Sequence, residues 1–183
     1  MALRSTVYRA ELSVSDLDRE AYSNHSLTLA RHPSETELRL MVRLLAFALH
    51  AGEGLAFGRG LSTDGEPDLC QRDPTGAIDL WIDVGLPDVK DIRKASGRAA
   101  RVVVLAYGER RFASWWGGVV AGVERLNNVS VLKLSDTEAS ALESLASRSM
   151  QLTCTVQDGH VWLASDSSTV EIIPAVLKSA ALS

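Results

Sequence analysis

The residues from Ile78 to Gly85 read Ile-Asp-Leu-Trp-Ile-Asp-Val-Gly, a pattern of period two. In a strand, Ile78, Leu80, Ile82 and Val84 would face one side, and Asp79, Trp81, Asp83 and Gly85 the other. Two carboxylates on an otherwise apolar strand are costly to bury unless they are paired, hydrogen-bonded or bound to a metal ion. Upstream stands Glu66-Pro67-Asp68, with Asp68 fifteen residues before Asp83. Downstream, Lys90, Lys94 and Arg98 recur every four residues, which on a helix makes one basic stripe beside Arg93 and Arg101. Carboxylate oxygens suit a hard divalent cation, and a nearby lysine can offset charge on a phosphate. The combination therefore suits a divalent metal ion held among these acidic groups.

The elements that must position these groups can be read from periodicity and turn chemistry. Strands are expected over residues 6–14 and 26–30, with a polar turn between them. The helix expected over residues 34–51 carries Leu38, Met41, Leu45, Ala48 and Leu49 at helical spacing. Ser34 and Glu37 fit a capping box, and Gly52 the C-terminal glycine position. A strand over 54–60 and a turn-rich stretch over 62–75 lead into the strand 78–84. Next come a helix over 88–100, a continuous apolar strand over 101–107 and a helix over 113–126 holding Trp115 and Trp116. A strand over 129–134 and a helix over 136–147 follow, the latter capped by Ser135 and Glu138. Residues 151–157 and 160–164 flank Asp158-Gly159, whose residue types suit a tight hairpin turn. A last strand over 169–173 ends at Pro174.

The chain has 183 residues, 46% of them hydrophobic and 23% charged, which suits one globular domain with a sizeable core. The net charge of −4 argues against a passive nucleic-acid coat, so any nucleic-acid contact must come from a local patch such as Lys90, Arg93, Lys94 and Arg98. Cys70, Cys154 and the four histidines form no zinc spacing. Both cysteines are expected to be reduced, as in a cytoplasmic protein. No run is long and apolar enough to span a membrane, and the N-terminal residues lack the apolar core of a leader.

An acidic residue after proline, a second acid on a buried strand and a lysine beyond it resemble the PD-(D/E)xK nuclease superfamily. A wider resemblance is to the YaeQ family of small bacterial proteins. It is carried by residues 26–36 (SLTLARHPSET), 43–47 (RLLAF), 78–87 (IDLWIDVGLP), and the hairpin segments 157–159 (QDG) and 161–163 (VWL). It implies an α/β fold with a mixed sheet and a restriction-endonuclease-like core over about 34–134. The terminal strands over 6–30 and 150–173 would form a small additional antiparallel sheet, all within one domain, 1–183. It also implies a nuclease or phosphodiesterase site that depends on Mg²⁺ or Mn²⁺ held by Asp68, Asp79 and Asp83, built from Glu35 on the helix, Asp68 or else Asp79 as the motif aspartate, and Asp83 as second acid. The superfamily's lysine position, two beyond Asp83, is Gly85. Lys94 is then the candidate lysine, with Lys90 or Arg93 as substitutes. Two other readings stand beside this one. The first is a non-catalytic nucleic-acid- or protein-binding regulator on a degenerate nuclease scaffold, suggested by Gly85 and the acidic net charge. The second is a purely structural role, with Asp79 and Asp83 paired to Arg39 or Arg59.

Overall fold

A computed structural model describes residues 4–59 and 65–181. Among these residues the chain forms four helices and eleven strands in two sheets. The first sheet is built from the two ends of the chain. Strands β1 (Thr6–Asp16) and β2 (Ala21–Arg31) form a long antiparallel hairpin. β8 (Ser149–Gln157), β9 (His160–Ala164) and β10 (Thr169–Ile172) complete it in the order β10-β9-β8-β1-β2. The sheet is mixed rather than antiparallel, because β1 and β8 run parallel. β2 starts five residues before the expected strand, since its polar first half is held by pairing with β1 rather than by apolar alternation. Asp158 and Gly159 take φ of 52° and 75° and close the β8–β9 turn as their residue types predict.

The second sheet has the order β11-β7-β6-β5-β4-β3. Its strands are β3 (Leu55–Phe57), β4 (Leu69–Arg72), β5 (Ile78–Val84), β6 (Ala99–Ala106), β7 (Val129–Lys133) and β11 (Ala175–Lys178). β5, β6 and β7 run parallel, linked by helices α2 (Val89–Ser96) and α3 (Glu109–Val123). α4 (Asp136–Glu143) follows β7 and carries the full Ser135–Glu138 capping box. β4 lies inside the stretch expected to be only turns. It is a strand because it has β3 and β5 on either side to pair with. β11 was likewise unexpected and pairs with β7 across the far edge. The expected strand 54–60 ends at Phe57, and its last residue, with 61–64, lies outside the described residues.

Helix α1 (Glu37–His50) lies between the two sheets, and residues Leu40 to Ala48 are buried without interruption. A helix apolar on nearly every side belongs in such a sandwich. Its N-cap is Thr36, whose side chain accepts from the Arg39 amide at 3.1 Å, so the Ser34–Glu37 capping box does not form. Glu37 accepts a hydrogen bond from the Tyr8 hydroxyl instead, at 2.7 Å. A second core, with Trp81, Ile92, Val102, Val104, Val119 and Val123, fills the space between the opposite face of the six-stranded sheet and helices α2 and α3. None of the described helices is long and apolar enough to cross a membrane.

Candidate functional site

β5 carries its carboxylates to two different places. From Leu80 to Val84 the alternation holds: Leu80, Ile82 and Val84 join the core around α1, and Trp81 packs on the α2 side. At the start of the strand it breaks. Arg72 pairs with Ile78 and Gln71 with Leu80, leaving Asp79 as the extra residue of a bulge. Ile78 therefore packs with Trp81, against the expected face, and Asp79 is turned to the sheet margin. Its carboxylate pairs with Arg101 at 2.9 Å, and both side chains are close to half exposed. This partner replaces the expected Arg39 or Arg59.

Asp83 lies at the other end of β5, where the strands and α2 open onto a cleft of about 400 Å³. Asp68, Lys94, Asp91, Tyr107 and Arg39 line the same cleft. Asp68 stands just before β4, and its backbone amide donates to Ile82 O at 2.9 Å. Its carboxylate accepts from the Val84 amide at 2.8 Å and pairs with Arg39. Burial pushes the Asp83 carboxyl up to about 7, and the Asp68 charge adds to the shift. The indole of Trp81 and the Asp68 amide face the carboxyl and oppose the rise. Even so, the buried Trp81 Nε1 closes no hydrogen bond of good geometry. Burial also raises Tyr107, with Arg39 opposing and Asp68 and Glu35 adding.

The expected basic stripe divides. The Lys94 ammonium lies against Gly65, close enough that a methyl group built there would stand 2.6 Å from Nζ. Arg98 donates to the Gly65 carbonyl at 3.2 Å and covers the Trp81 ring at 5.8 Å from its centroid. Arg93 turns away, toward Gly122 of α3. Lys90 is exposed and lies outside the cleft lining. Trp115 supports the cleft from behind: its indole donates to the Pro87 carbonyl at 2.7 Å.

Glu35 is fully buried on the α1 side. Arg43 Nε stands 2.8 Å from its Oε1, and Arg43 Nη2 donates to its Oε2 at 3.0 Å. Arg39 Nη1 donates to Oε1 at 3.1 Å, and Nη2 of the same guanidinium reaches Asp68. Glu35 is thus joined to the cleft through an arginine. Among the described residues, no three His, Cys, Asp or Glu side chains converge to hold a metal ion.

Gly85 has a φ of +99° while its amide donates to Leu105 O at 3.0 Å. A side chain at that φ is strained, which accounts for glycine at this position. Gly85→Ala is expected to lower stability by roughly 1–3 kcal/mol, read from the urea midpoint. An unchanged midpoint would refute the backbone argument.

Arg39, Asp91 and Tyr107 are cleft residues that the sequence reading did not assign to the site. Arg39 had a usable signal, since the helix expected over 34–51 put it four residues after Glu35; in the structure Glu35 precedes the Thr36 N-cap and lies outside the helix. Tyr107 had one in retrospect: it continues β6, whose parallel register pairs Val84 with Leu105.

A model of the YaeQ protein family matches residues 1–174. The chain is 44% identical over 172 residues to the uncharacterized protein YaeQ of Escherichia coli (strain K12), covering 94% of this chain and 95% of that one. The same identity relates it to the uncharacterized protein YaeQ of Salmonella typhi. Among solved structures, YaeQ from Xanthomonas axonopodis pv. citri superposes with a TM-score of 0.93 at 49% identity, covering 96% of this chain and 99% of that chain. YaeQ from Pseudomonas syringae superposes with a TM-score of 0.91 at 37% identity, covering 96% and 97%. Matched from end to end in both sequence and fold, this chain belongs to the YaeQ family.

Proposed function

We propose that the cleft at the ends of β4, β5 and α2 is a divalent-cation-dependent phosphodiesterase site of the PD-(D/E)xK type, on a restriction-endonuclease-like core. The observation that carries this reading is the pairing of Asp68 and Asp83 in one cleft, with Asp83 pushed up to about 7 by burial and by its neighbour's charge. A cation held by these carboxylates would relieve both effects. The donors fit Mg²⁺ or Mn²⁺, because Mg²⁺ is usually held by one or two carboxylates, keeps several waters and accepts phosphate oxygens. A bound cation supplies Lewis-acid polarisation of a phosphoryl group and activation of water.

The chain's own residues do the rest. Asp68 and Asp83 would hold the cation. Arg39 and the Val84 amide fix the orientation of Asp68. Lys94 offsets charge on the phosphoryl oxygens, and Arg98 holds the Gly65 carbonyl beside it. Lys94 and Arg98 offer a short basic rim for a nucleic-acid backbone on an otherwise acidic protein. Asp79 has no part in this site, and Glu35 acts only through Arg39.

Purified protein is expected to cleave at least one of single-stranded DNA, duplex DNA, branched DNA or RNA when Mg²⁺ or Mn²⁺ is added. Asp83→Asn should lower the rate on the order of 100-fold or more. No cleavage of any of the four overturns the reading, and equal rates in both proteins identify a contaminant.

The burial of Glu35 against Arg43, and Gly85 at the lysine position, favour a second reading. Here the same scaffold binds nucleic acid or protein without cutting. Binding that survives both EDTA and Asp83→Asn, with no cleavage, would establish it.

A further inference from the structure

Among the described residues, the two sheets end in four edge strands, and three of them are protected. β10 has four residues, Glu171 among them, and β3 has only three. β11 has four, follows Pro174 and pairs with β7 in a broken register. Short length, charge, proline and irregularity are the devices that keep a sheet edge from pairing with another chain. β2 is the fourth edge, and it runs for eleven residues in unbroken register with β1. From Ala21 to Ala30 it holds no Lys, Arg, Asp, Glu or Pro. Only its last residue, Arg31, is charged, and that side chain is drawn back to the Glu35 carbonyl and the Tyr8 ring. Tyr22, near its start, is 68% exposed.

The direction of the backbone groups on that edge follows from its neighbours. The Arg9 amide donates to Arg148 O, just before β8. Odd residues of β1 therefore turn their amides and carbonyls toward β8, and even residues turn theirs toward β2. Tyr22, Asn24, Ser26 and Thr28 stand opposite Ser15, Ser13, Glu11 and Arg9, so their own groups face away from β1. Ala30 is next in that row, and its carbonyl accepts from Arg43 Nη2 at 3.1 Å. We propose that two copies of this chain join edge to edge through β2, antiparallel about a two-fold axis at His25. Asn24 then exchanges hydrogen bonds with Ser26 of the second copy, and Tyr22 with Thr28, about eight bonds in all. The ladder stops short of Ala30, whose carbonyl is already taken. Two five-stranded sheets become one continuous sheet. Charge selects a second copy as the occupant. A two-fold axis brings each residue near its own counterpart, so a strand charged close to the axis repels itself, and β2 is uncharged there. The ends are complementary: Glu20 falls opposite Ala30 of the second copy, one residue from its Arg31. The other charges of that turn are engaged, Asp18 with the Asp158 and Gly159 amides and Arg19 with Asp16.

The test is sedimentation equilibrium from micromolar to millimolar concentration on wild type, Ser26→Pro and His25→Cys. Wild type is expected to reach twice the chain mass. Ser26→Pro removes an outward amide and no bond to β1, a position where an edge strand accepts proline. It should stay monomeric across the range. His25→Cys sets two thiols opposite each other on the axis in a non-bonded pair, where side chains come closest. Mild oxidation should convert it to a covalent dimer, while wild type, with Cys70 and Cys154, gives none. Wild type that is monomeric throughout overturns the proposal. So does Ser26→Pro as dimeric as wild type, or His25→Cys that forms no covalent dimer. If Ser26→Pro does not fold, Ser26→Lys places a lysine on the exposed side of the edge and carries the same expectation. A dimer in that variant is then the overturning result.

Discussion

Glu35→Ala will lower the free energy of unfolding by about 3–5 kcal/mol, seen as a fall in the midpoint of chemical denaturation. Glu35 and Arg43 are each only 2% exposed, and both lie between the sheets. Removing the carboxylate leaves the Arg43 guanidinium buried without its counter-charge. It also releases Arg39, which then has Asp68 as its only carboxylate partner among the described residues. A loss of this size is a large part of the 5–15 kcal/mol that typically separates folded from unfolded chains. Glu35→Gln keeps the shape and loses the charge, so it should fall in the same direction. Glu37→Ala is the control two residues away: it removes one partly buried hydrogen bond to Tyr8 and should cost about 1 kcal/mol. If Glu35→Ala costs no more than Glu37→Ala, the buried pair does not hold α1 in place.

The second large effect is a pH dependence that runs against the usual carboxylate behaviour. Asp83 titrates near 3.8 when unconstrained and about 7 in the folded protein. Between those values the folded state holds a proton that the unfolded state has released. The contribution is therefore present below about pH 4 and is lost as pH rises through 7. The full span is roughly 3 kcal/mol once the solvent-facing part of the carboxyl is allowed for. His50 works in the opposite sense. Burial holds it down to about 4, so its contribution is present above its ordinary value of 6.5 and lost on acidification. The difference between wild type and Asp83→Asn isolates the aspartate. That difference should grow in favour of the variant between about pH 4 and about pH 7 and level off above it, measured by urea denaturation without divalent ions. Parallel curves would mean that Asp83 is ionised in the folded protein throughout. Added Mn²⁺ should return the lost stability to wild type at the alkaline end and leave Asp83→Asn unchanged.

Much of the frame was legible in the residues because it depends on short-range rules. Asp158-Gly159 closes its hairpin because both residue types tolerate positive φ. The Ser135–Glu138 box forms because its two ends lie within one helical turn. The alternation of β5 correctly put Trp81 on the face opposite Leu80, Ile82 and Val84. The family was legible as well, since its motifs run along nearly the whole chain.

Other elements had weaker local signals and stronger distant ones. β4 is four residues long and turn-rich at both ends. Only its two neighbours make it a strand. β2 is polar over its first half and exists because β1 accepts it. Helix α1 starts at Glu37 rather than Ser34, because Ser34 is drawn into a contact with His32 Nδ1 at 2.6 Å.

The sequence alone determined that β5 carries two carboxylates between an upstream Glu66-Pro67-Asp68 and a downstream basic helix, since residue type and strand periodicity are local properties. The tertiary structure decided which carboxylate meets which cation. A bulge sends Asp79 to Arg101, and the sandwich around α1 buries Glu35 against Arg43. Sheet register brings Asp68 beside Asp83, with Arg39 between Asp68 and Glu35. Each of these pairings spans a distance set by how two sheets close on one helix, and no spacing along the chain encodes that distance.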